Sequence, residues 1–362
     1  MITIEPYTGP ITDEITSLAD SYEFKPYFYV SAAPDEGLNK IFNKRLANFL
    51  ARCGSKPGQA AFLAAIDESG KLAGFVGVEV LDFDSAVLAI ASGRILFCVV
   101  APSVNPGSPR FNPEMPPHEA YRLARPVADQ LIDAALQWLH ERDVVFTNVR
   151  TAALELPLIH ALEKAGFYLI DNGITAFYHK DNAPKYEKSG YDIRLFADKD
   201  LPRVQEIMRG AYTQDRFHLD PRIPHHAAEE LYQLWIEHSA TSPKDQEWVL
   251  IAERSGSGAV SSEVGTKAGV VKGFFQYQYE REFSEATGIG LFSYGPAAVV
   301  RDRTALGAYY SLLSFAVNDS IMRGGTYAMT RIPFGIQPIL KLTLRLGPSF
   351  MTNDLTFHHW RG

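Results

Sequence analysis

Two periods of apolar residues alternate along the chain. Ile2–Tyr7 reads as an edge strand. Ile11–Tyr22 and Leu38–Cys53 carry apolar residues at helical spacing, with Ile41, Leu46 and Leu50 on one stripe. Ala60–Ile66, Leu72–Val80 and Val87–Val100 are β-rich, and Asp67–Gly70 (DESG) is a hairpin turn. The aromatic stretch Phe24–Tyr29 (FKPYFY) lies between the two helices, either as a lid or as a packed connection. Tyr121–Arg142 places Val127, Leu131, Ala135 and Leu139 on one helical face, and Val144–Val149 is a strand. Pro157–Tyr178 then predicts a short helix stopped by Gly166, a link and a strand.

That last outline returns near the C-terminus in Pro338–His359. Pro157 answers Pro338, Gly166 answers Gly347, Asn172 answers Asn353 and Thr175 answers Thr356, each pair 181 residues apart. A duplication of this length means two like domains, not a solenoid of ~20–50-residue repeats. The second half repeats the elements of the first. Tyr191–Phe196 is a strand, Asp200–Tyr212 and Ala227–Ser239 are helices, and Trp248–Glu253, Val270–Glu280 and Gly290–Val300 are strands. The helix Thr304–Arg323 and the strands Thr326–Arg331 and Asp354–Trp360 complete the set. A Gly/Ser-rich hairpin tip follows Glu253. The polar stretch Asp181–Gly190 breaks the periodicity. It divides the chain into expected domains at 1–182 and 191–362, joined through 183–190. Ser103–Ala120 is a Pro/Gly/Asn-rich insert longer than an ordinary connection, and it leaves a lid, a homodimer contact or disorder open.

Composition narrows the function classes. The chain has 362 residues, enough for two cores. Its net charge of −7, with both signs mixed, lacks the basic face that nucleic-acid binding needs. No apolar run reaches the ~20 residues of a membrane span, and the N-terminus lacks a signal-peptide pattern. Cys53 and Cys98, the two cysteines, are too few for a disulfide scaffold or a zinc site and fit a cytoplasmic protein.

Each half runs strand, helix, helix, three antiparallel strands, helix, strand, helix, strand. With the Gly-Phe helix end at His160–Phe167 and the Val-x-Pro strand end at Val100–Pro102, this order resembles the GNAT superfamily of N-acetyltransferases. The resemblance covers nearly the whole chain as a tandem pair. It implies an α+β fold of two GNAT-like domains, each a mixed, mostly antiparallel twisted sheet flanked by helices. It also implies transfer of an acyl group from acetyl-CoA, or another acyl-CoA, to a small amine. Ala211–Ser239 and the closing LTFHHWR are similar to acetyltransferases acting on nucleotide-linked amino sugars. The alternatives are a binding or scaffold protein on the same fold, and an acyl or aminoacyl transferase that uses no free CoA.

In that family the pantetheine arm lies where the fourth and fifth strands splay, and the pyrophosphate sits on amides of the next loop and helix start. The resemblance therefore points to Ala298, Val299, Val300, Thr304, Gly307, Ala308 and Tyr309 for the cofactor. The phosphate-loop pattern keeps only Gly307 in the second half. In the first half its positions hold Leu123, Pro126 and Ala128, and Pro126 has no N–H to donate. The second half is thus the expected cofactor domain. The family's usual acid, a Tyr on the last helix, is replaced by Leu162 and Thr343. Tyr277, Tyr279 and Tyr294 are substitute proton donors, or core and rim aromatics, and Glu280 and Glu282 are bases acting through water, or solvated residues of a hairpin end. Asp215, Arg216, Phe217 and His218 form the candidate acceptor loop, with Arg216 for a phosphate and Phe217 for stacking. His225 and His226 lack metal-ligand spacing, so no metal is expected. Arg150 and Arg331, also offset by 181, would contact CoA or cap the sheet end.

Overall fold

The structure is a computed structural model that describes residues 2–103, 115–186, 190–242, 245–254, 269–302 and 305–362. Most of Ser103–Ala120, the hairpin tip after Glu253, part of the 183–190 linker and Thr304 lie outside the described residues. The chain divides into two compact units. The first comprises Met1–Asn172, Glu285–Gly288 and Asn353–Gly362, and the second comprises Gly173–Ser284 and Ile289–Thr352.

In chain order the first half contributes β1 (Thr3–Tyr7), α1 (Asp13–Ser21), α2 (Asp35–Ser55), β2 (Ala60–Ile66), β3 (Leu72–Val80), α3 (Asp82–Leu88), β4 (Ser92–Val100), α4 (Pro117–His140), β5 (Phe146–Ala152), α5 (Leu156–Lys164) and β6 (Tyr168–His179). The second half contributes β7 (Asp192–Leu195), α6 (Leu201–Met208), α7 (His225–Thr241), β8 (Glu247–Arg254), β9 (Val270–Tyr279), α8 (Arg281–Thr287), β10 (Leu291–Val299), α9 (Ala305–Met322), β11 (Tyr327–Pro333), α10 (Gln337–Arg345) and β12 (Phe350–Trp360).

Two short helices depart from the sequence reading. The β-rich run expected over Val87–Val100 begins only at Ser92, because the acidic first turn Asp82–Asp84 starts α3, which ends at the left-handed Ala89. Glu282 likewise belongs to α8 and not to a hairpin end. A third difference concerns α4, which begins at Pro117, before the expected Tyr121, with Pro tolerated in the first turn. Leu123, Pro126 and Ala128 are therefore inside this helix and do not form a phosphate loop at its start.

In each unit the sheet runs antiparallel through its first four strands. The fourth strand then pairs parallel with the fifth, β4 with β5 and β10 with β11. The sixth strand is exchanged. In the first unit β12 closes the sheet against β5, and in the second β6 closes it against β11. The compact units therefore do not follow 1–182 and 191–362. The duplication is visible in the pairing: Thr356 opposes Arg150 and Thr175 opposes Arg331, so both closing strands meet their fifth strands in the same register.

Helices cover both faces of each sheet. In the first unit Leu131, Ala135 and Leu162 pack on one face, and Leu46, Phe49 and Phe75 on the other. In the second, Leu312, Ala316 and Phe275 fill one face, and Val204, Ile236 and Phe274 the other. Gly166 at φ +86° and Gly347 at φ +69° end α5 and α10, the left-handed positions that the sequence assigned to glycine.

Candidate active site

Each parallel pair is short. β4 and β5 pair only from Ser92/Phe146 to Ile95/Val149, and β10 and β11 only from Leu291/Tyr327 to Tyr294/Thr330. An irregularity in the fourth strand follows at once, after Ile95 in one unit and after Tyr294 in the other. The extra residue reverses which backbone groups face the third strand. Beyond it, Ala101 N–H bonds Ala73 O and Val300 N–H bonds Lys272 O. By the antiparallel alternation, the amides and carbonyls of Cys98 and Val100, and of Ala297 and Val299, then point into the gap beside the fifth strand. Of the three strand positions expected to meet the cofactor, Val299 faces the gap. Ala298 and Val300 face β9 instead, a consequence of that reversal.

The two gaps are filled differently. In the second unit, Tyr212 lies on the connection after α6. Its hydroxyl donates to Ala297 O at 3.0 Å and accepts from Ala297 N–H at 3.0 Å. One phenol thus takes both gap-facing groups of that residue. Tyr212 is stacked on Tyr232 at 4.3 Å, and burial pushes its pKa up to about 12. In the first unit the residue at the same place in the fold, Tyr22, turns elsewhere. Its hydroxyl donates to Glu155 Oε1, and Thr151 Oγ1 donates to Glu155 Oε2 at 2.5 Å. Among the described residues no hydrogen bond to Cys98 or Val100 from the gap side occurs.

Glu155 sits at the N-terminal cap of α5, immediately after β5. It is buried, and burial raises its carboxyl pKa to about 7 despite the two donated hydrogen bonds, which favour the charged form. Burial raises the thiol of Cys98 as well, with the Glu155 charge adding to the effect. Ile336 occupies the corresponding cap of α10. A cavity of about 40 Å³ opens beside Glu155, bounded by Tyr22, Phe24, Val100, Pro102 and Tyr121 among others. The hydroxyl of Tyr121 accepts from Arg125 at 3.0 Å and lies 2.9 Å from His160 Nδ1, a bond whose direction follows the imidazole tautomer. At the start of α4, Glu119 and Ala120 N–H groups return to Pro116 O, and Pro117 has none, so the first turn offers few amides to a phosphate.

The remaining residues singled out in the sequence are in the second unit. Tyr277 is buried, its hydroxyl bonded to Asp319; burial first, then that carboxylate, raises its pKa. Tyr294 is raised by burial and lies 3.4 Å from Ser320 Oγ. Tyr279 is half-buried against Phe292. Ala308 and Tyr309 are packed into the core beneath α9, and Gly307 lies in its first turn. Thr343 is buried, with an unpartnered Oγ1 among the described residues, and its carbonyl accepts from Tyr178.

Asp215 and His218 form a buried pair at 2.5 Å. Burial works to raise the Asp215 pKa, but the His218 bond and the Phe217 N–H outweigh it and hold it below the carboxylate range. Phe217 is fully buried against Tyr232 and Trp235, with Arg216 over its ring, so it presents no face for stacking a ligand. Arg150 bonds Asp354 and Thr356 across its own sheet. The aromatic stretch Phe24–Tyr29 is a packed connection, with Phe24 against Phe28 and Tyr27 buried. No group of three or more metal-ligating side chains occurs among the described residues, and no described helix is long and apolar enough to cross a membrane.

Sequence reasoning passed over Tyr22, Tyr121, Thr151 and Glu155. A signal was present: Tyr22 and Pro34 answer Tyr212 and Pro224 at an offset of 190, with both prolines at the starts of corresponding helices.

No family model matches the sequence, and no curated protein does. Solved structures do. A GCN5-related N-acetyltransferase from Sphaerobacter thermophilus is similar over 99% of this chain and 95% of its own, at 13% identity and a TM-score of 0.59. A tandem GNAT protein from the clavulanic acid biosynthesis pathway, solved without acetyl-CoA, is similar over 100% and 99%, at 12% identity and 0.54. A glucosamine N-acetyltransferase region of a fungal multi-domain β-N-acetylglucosaminidase is similar over 99% of this chain and 38% of that one, at 11% identity and 0.56. The chain carries the fold of the tandem GNAT N-acetyltransferases.

Proposed function

We propose that the protein is an acyl-CoA-dependent N-acyltransferase, with acetyl-CoA as donor and a small amine as acceptor, and that its chemistry is done by the first unit. The observation that carries this is the meeting, in one small cavity, of Val100, on a strand edge with no gap-side hydrogen bond among the described residues, and a buried carboxyl whose pKa is raised to about 7. Cys98 and Val100 would hold the pantetheine arm through their gap-facing amides and carbonyls. Glu155 would take the proton from the attacking amine as its nitrogen bonds the thioester carbon. Its shifted pKa suits a base that must accept a proton at neutral pH and release it afterwards. As the carbon–sulfur bond breaks, the departing thiolate would take a proton from the Tyr121 hydroxyl, which then recovers one from solvent. The Arg125 N–H donated to the Tyr121 oxygen holds that hydroxyl in place.

The second unit supports a non-catalytic role, contrary to the expectation from Gly307. Its strand edge is already engaged by Tyr212, and it has Ile336 where the first unit has its carboxyl. The test is calorimetric titration with acetyl-CoA followed by hydrogen exchange on the complex. Binding with slowed exchange at Cys98 and Val100, and none at Ala297 and Val299, is expected. Protection at Ala297 and Val299 would move the site to the second unit. Absence of binding would end the CoA-dependent reading and leave a binding or scaffold protein.

A further inference from the structure

We infer that the acceptor is an amine with an apolar body, an arylalkyl or alkyl amine in place of a hydroxyl-rich amino sugar. The inference rests on the N-acyl transfer proposed for the first unit and deepens it. Three observations carry it. The first is size: about 40 Å³ is some three times the ~10–15 Å³ of cavity space that one water needs, room for an aminomethyl group beside Glu155 and not for a pyranose ring.

The second is that the polar groups around the cavity are already engaged. The Tyr22 hydroxyl is given to Glu155, the Tyr121 hydroxyl joins Arg125 and His160, and Ser103 Oγ accepts from Glu23 N–H at 3.1 Å. Among the described lining side chains this leaves the Glu155 carboxyl to meet an amine, and the Ser103 O–H as a single donor against a ring of hydroxyls. A sugar would bury most of its hydroxyls unpaired, which a site with so few partners rejects.

The third is the rim. Leu154 and Leu156 stand 48% and 47% exposed at the β5–α5 junction, on either side of Glu155, with Phe24 and Pro157 beside them in the same lining. Large aliphatic side chains held in water around a buried acid offer an apolar body a surface to cover, while its amine reaches the carboxyl.

The experiment measures binding and turnover separately, with 2-phenylethylamine and glucosamine as probes and acetyl-CoA as donor. Calorimetry is expected to show 2-phenylethylamine binding at least ~100-fold more tightly than glucosamine, the scale on which a shaped apolar pocket discriminates. The paired substitution L154S with L156S alters exposed side chains only. It should weaken that binding about tenfold, the equivalent of ~1.4 kcal/mol, and leave acetyl-CoA affinity unchanged. Glucosamine bound as tightly as 2-phenylethylamine, or indifference to the paired substitution, overturns the inference. Thiol release with glucosamine preferred would overturn it while keeping acyl transfer. Amine preference without thiol release would keep the apolar pocket and remove acyl transfer.

Discussion

Tyr22 and Tyr212 hold the same place in their two units and end on different partners. In the first unit Glu155 caps α5, and Tyr22 donates to it. In the second, Ile336 caps α10 and offers no acceptor, so Tyr212 closes on the backbone of Ala297 instead. The cap residue and the tyrosine's partner thus change together, a titratable group in one unit and a strand edge in the other. The backbone of the fourth strand has the same irregularity in both units. What separates an open gap from a closed one is carried by side chains. This is why a shared fold leaves function undecided until the site is described.

The comparison is broken most strongly at Glu155. Replacing it with Gln keeps the shape and removes the base, so kcat should fall by about 10²–10⁴-fold while acetyl-CoA affinity holds. In the unchanged protein kcat/KM should rise with pH and level off near 7, where the carboxyl ionises. Tyr22→Phe should move that inflection upward, because it deletes a hydrogen bond that favours the carboxylate. An inflection that survives in Glu155→Gln would assign the titration to another group and dissolve the contrast between the units.

The same carboxyl should be visible in stability. Its pKa is about 7 folded against 4.5 for an ordinary glutamate. Between those values the folded chain holds a proton that the unfolded chain has lost, so stability falls as pH rises through the window. A shift of this size corresponds to about 3 kcal/mol. Asp129, Asp200 and Asp215 are shifted the other way, and their contributions are lost at more acid pH, below that window. Urea unfolding at pH 5 and pH 8 tests this. Glu155→Gln should gain on the unchanged protein at pH 8 relative to pH 5, and equal differences at both values would refute the buried-acid assignment.

The sequence carried the architecture further than the site, for a physical reason. Periodicity and the 181-residue register come from backbone and packing demands, so Gly166, Gly347 and the α4 stripe were legible. The short helices α3 and α8 were not, since seven residues give too little periodicity to separate from a strand end. Strand exchange left no local mark, because both closing strands carry the same register. Glu155 was hidden by its surroundings in sequence. Between Leu154 and Leu156 it reads as an ordinary residue before a helix, and only the burial imposed by Tyr22, 133 residues away, gives it an unusual proton affinity. Asp215–His218 drew notice because its residues adjoin in sequence, and the structure pairs the two side chains with each other in a buried contact.

Tyr212→Phe tests the sealed edge at smaller cost. Removing the hydroxyl leaves the Ala297 amide and carbonyl without their shared partner, which should lower stability by about 1–3 kcal/mol in urea unfolding. The variant should also free the second unit's edge. If the hydroxyl is what excludes an acyl-CoA arm there, exchange at Ala297 will become sensitive to acetyl-CoA in the variant and not before. A variant as stable as the parent would mean that solvent replaces the phenol at no cost, and the gap would then not be closed.

The smallest effect concerns what the two units share. Gly166 and Gly347 both end a helix at positive φ. A Cβ built on Gly166 would come no nearer than 3.9 Å to His359, and one on Gly347 would meet nothing within 4 Å. Neither site is crowded, so an alanine at either should cost only the strain of the left-handed conformation, about 1–2 kcal/mol. Equal losses in Gly166→Ala and Gly347→Ala, adding in the double variant, would mean that the duplicated frame is energetically symmetric. The asymmetry between the units would then reside in side chains such as Glu155 and Ile336. A much larger loss at one glycine would instead place part of the divergence in the frame itself, in the turn that feeds an exchanged strand.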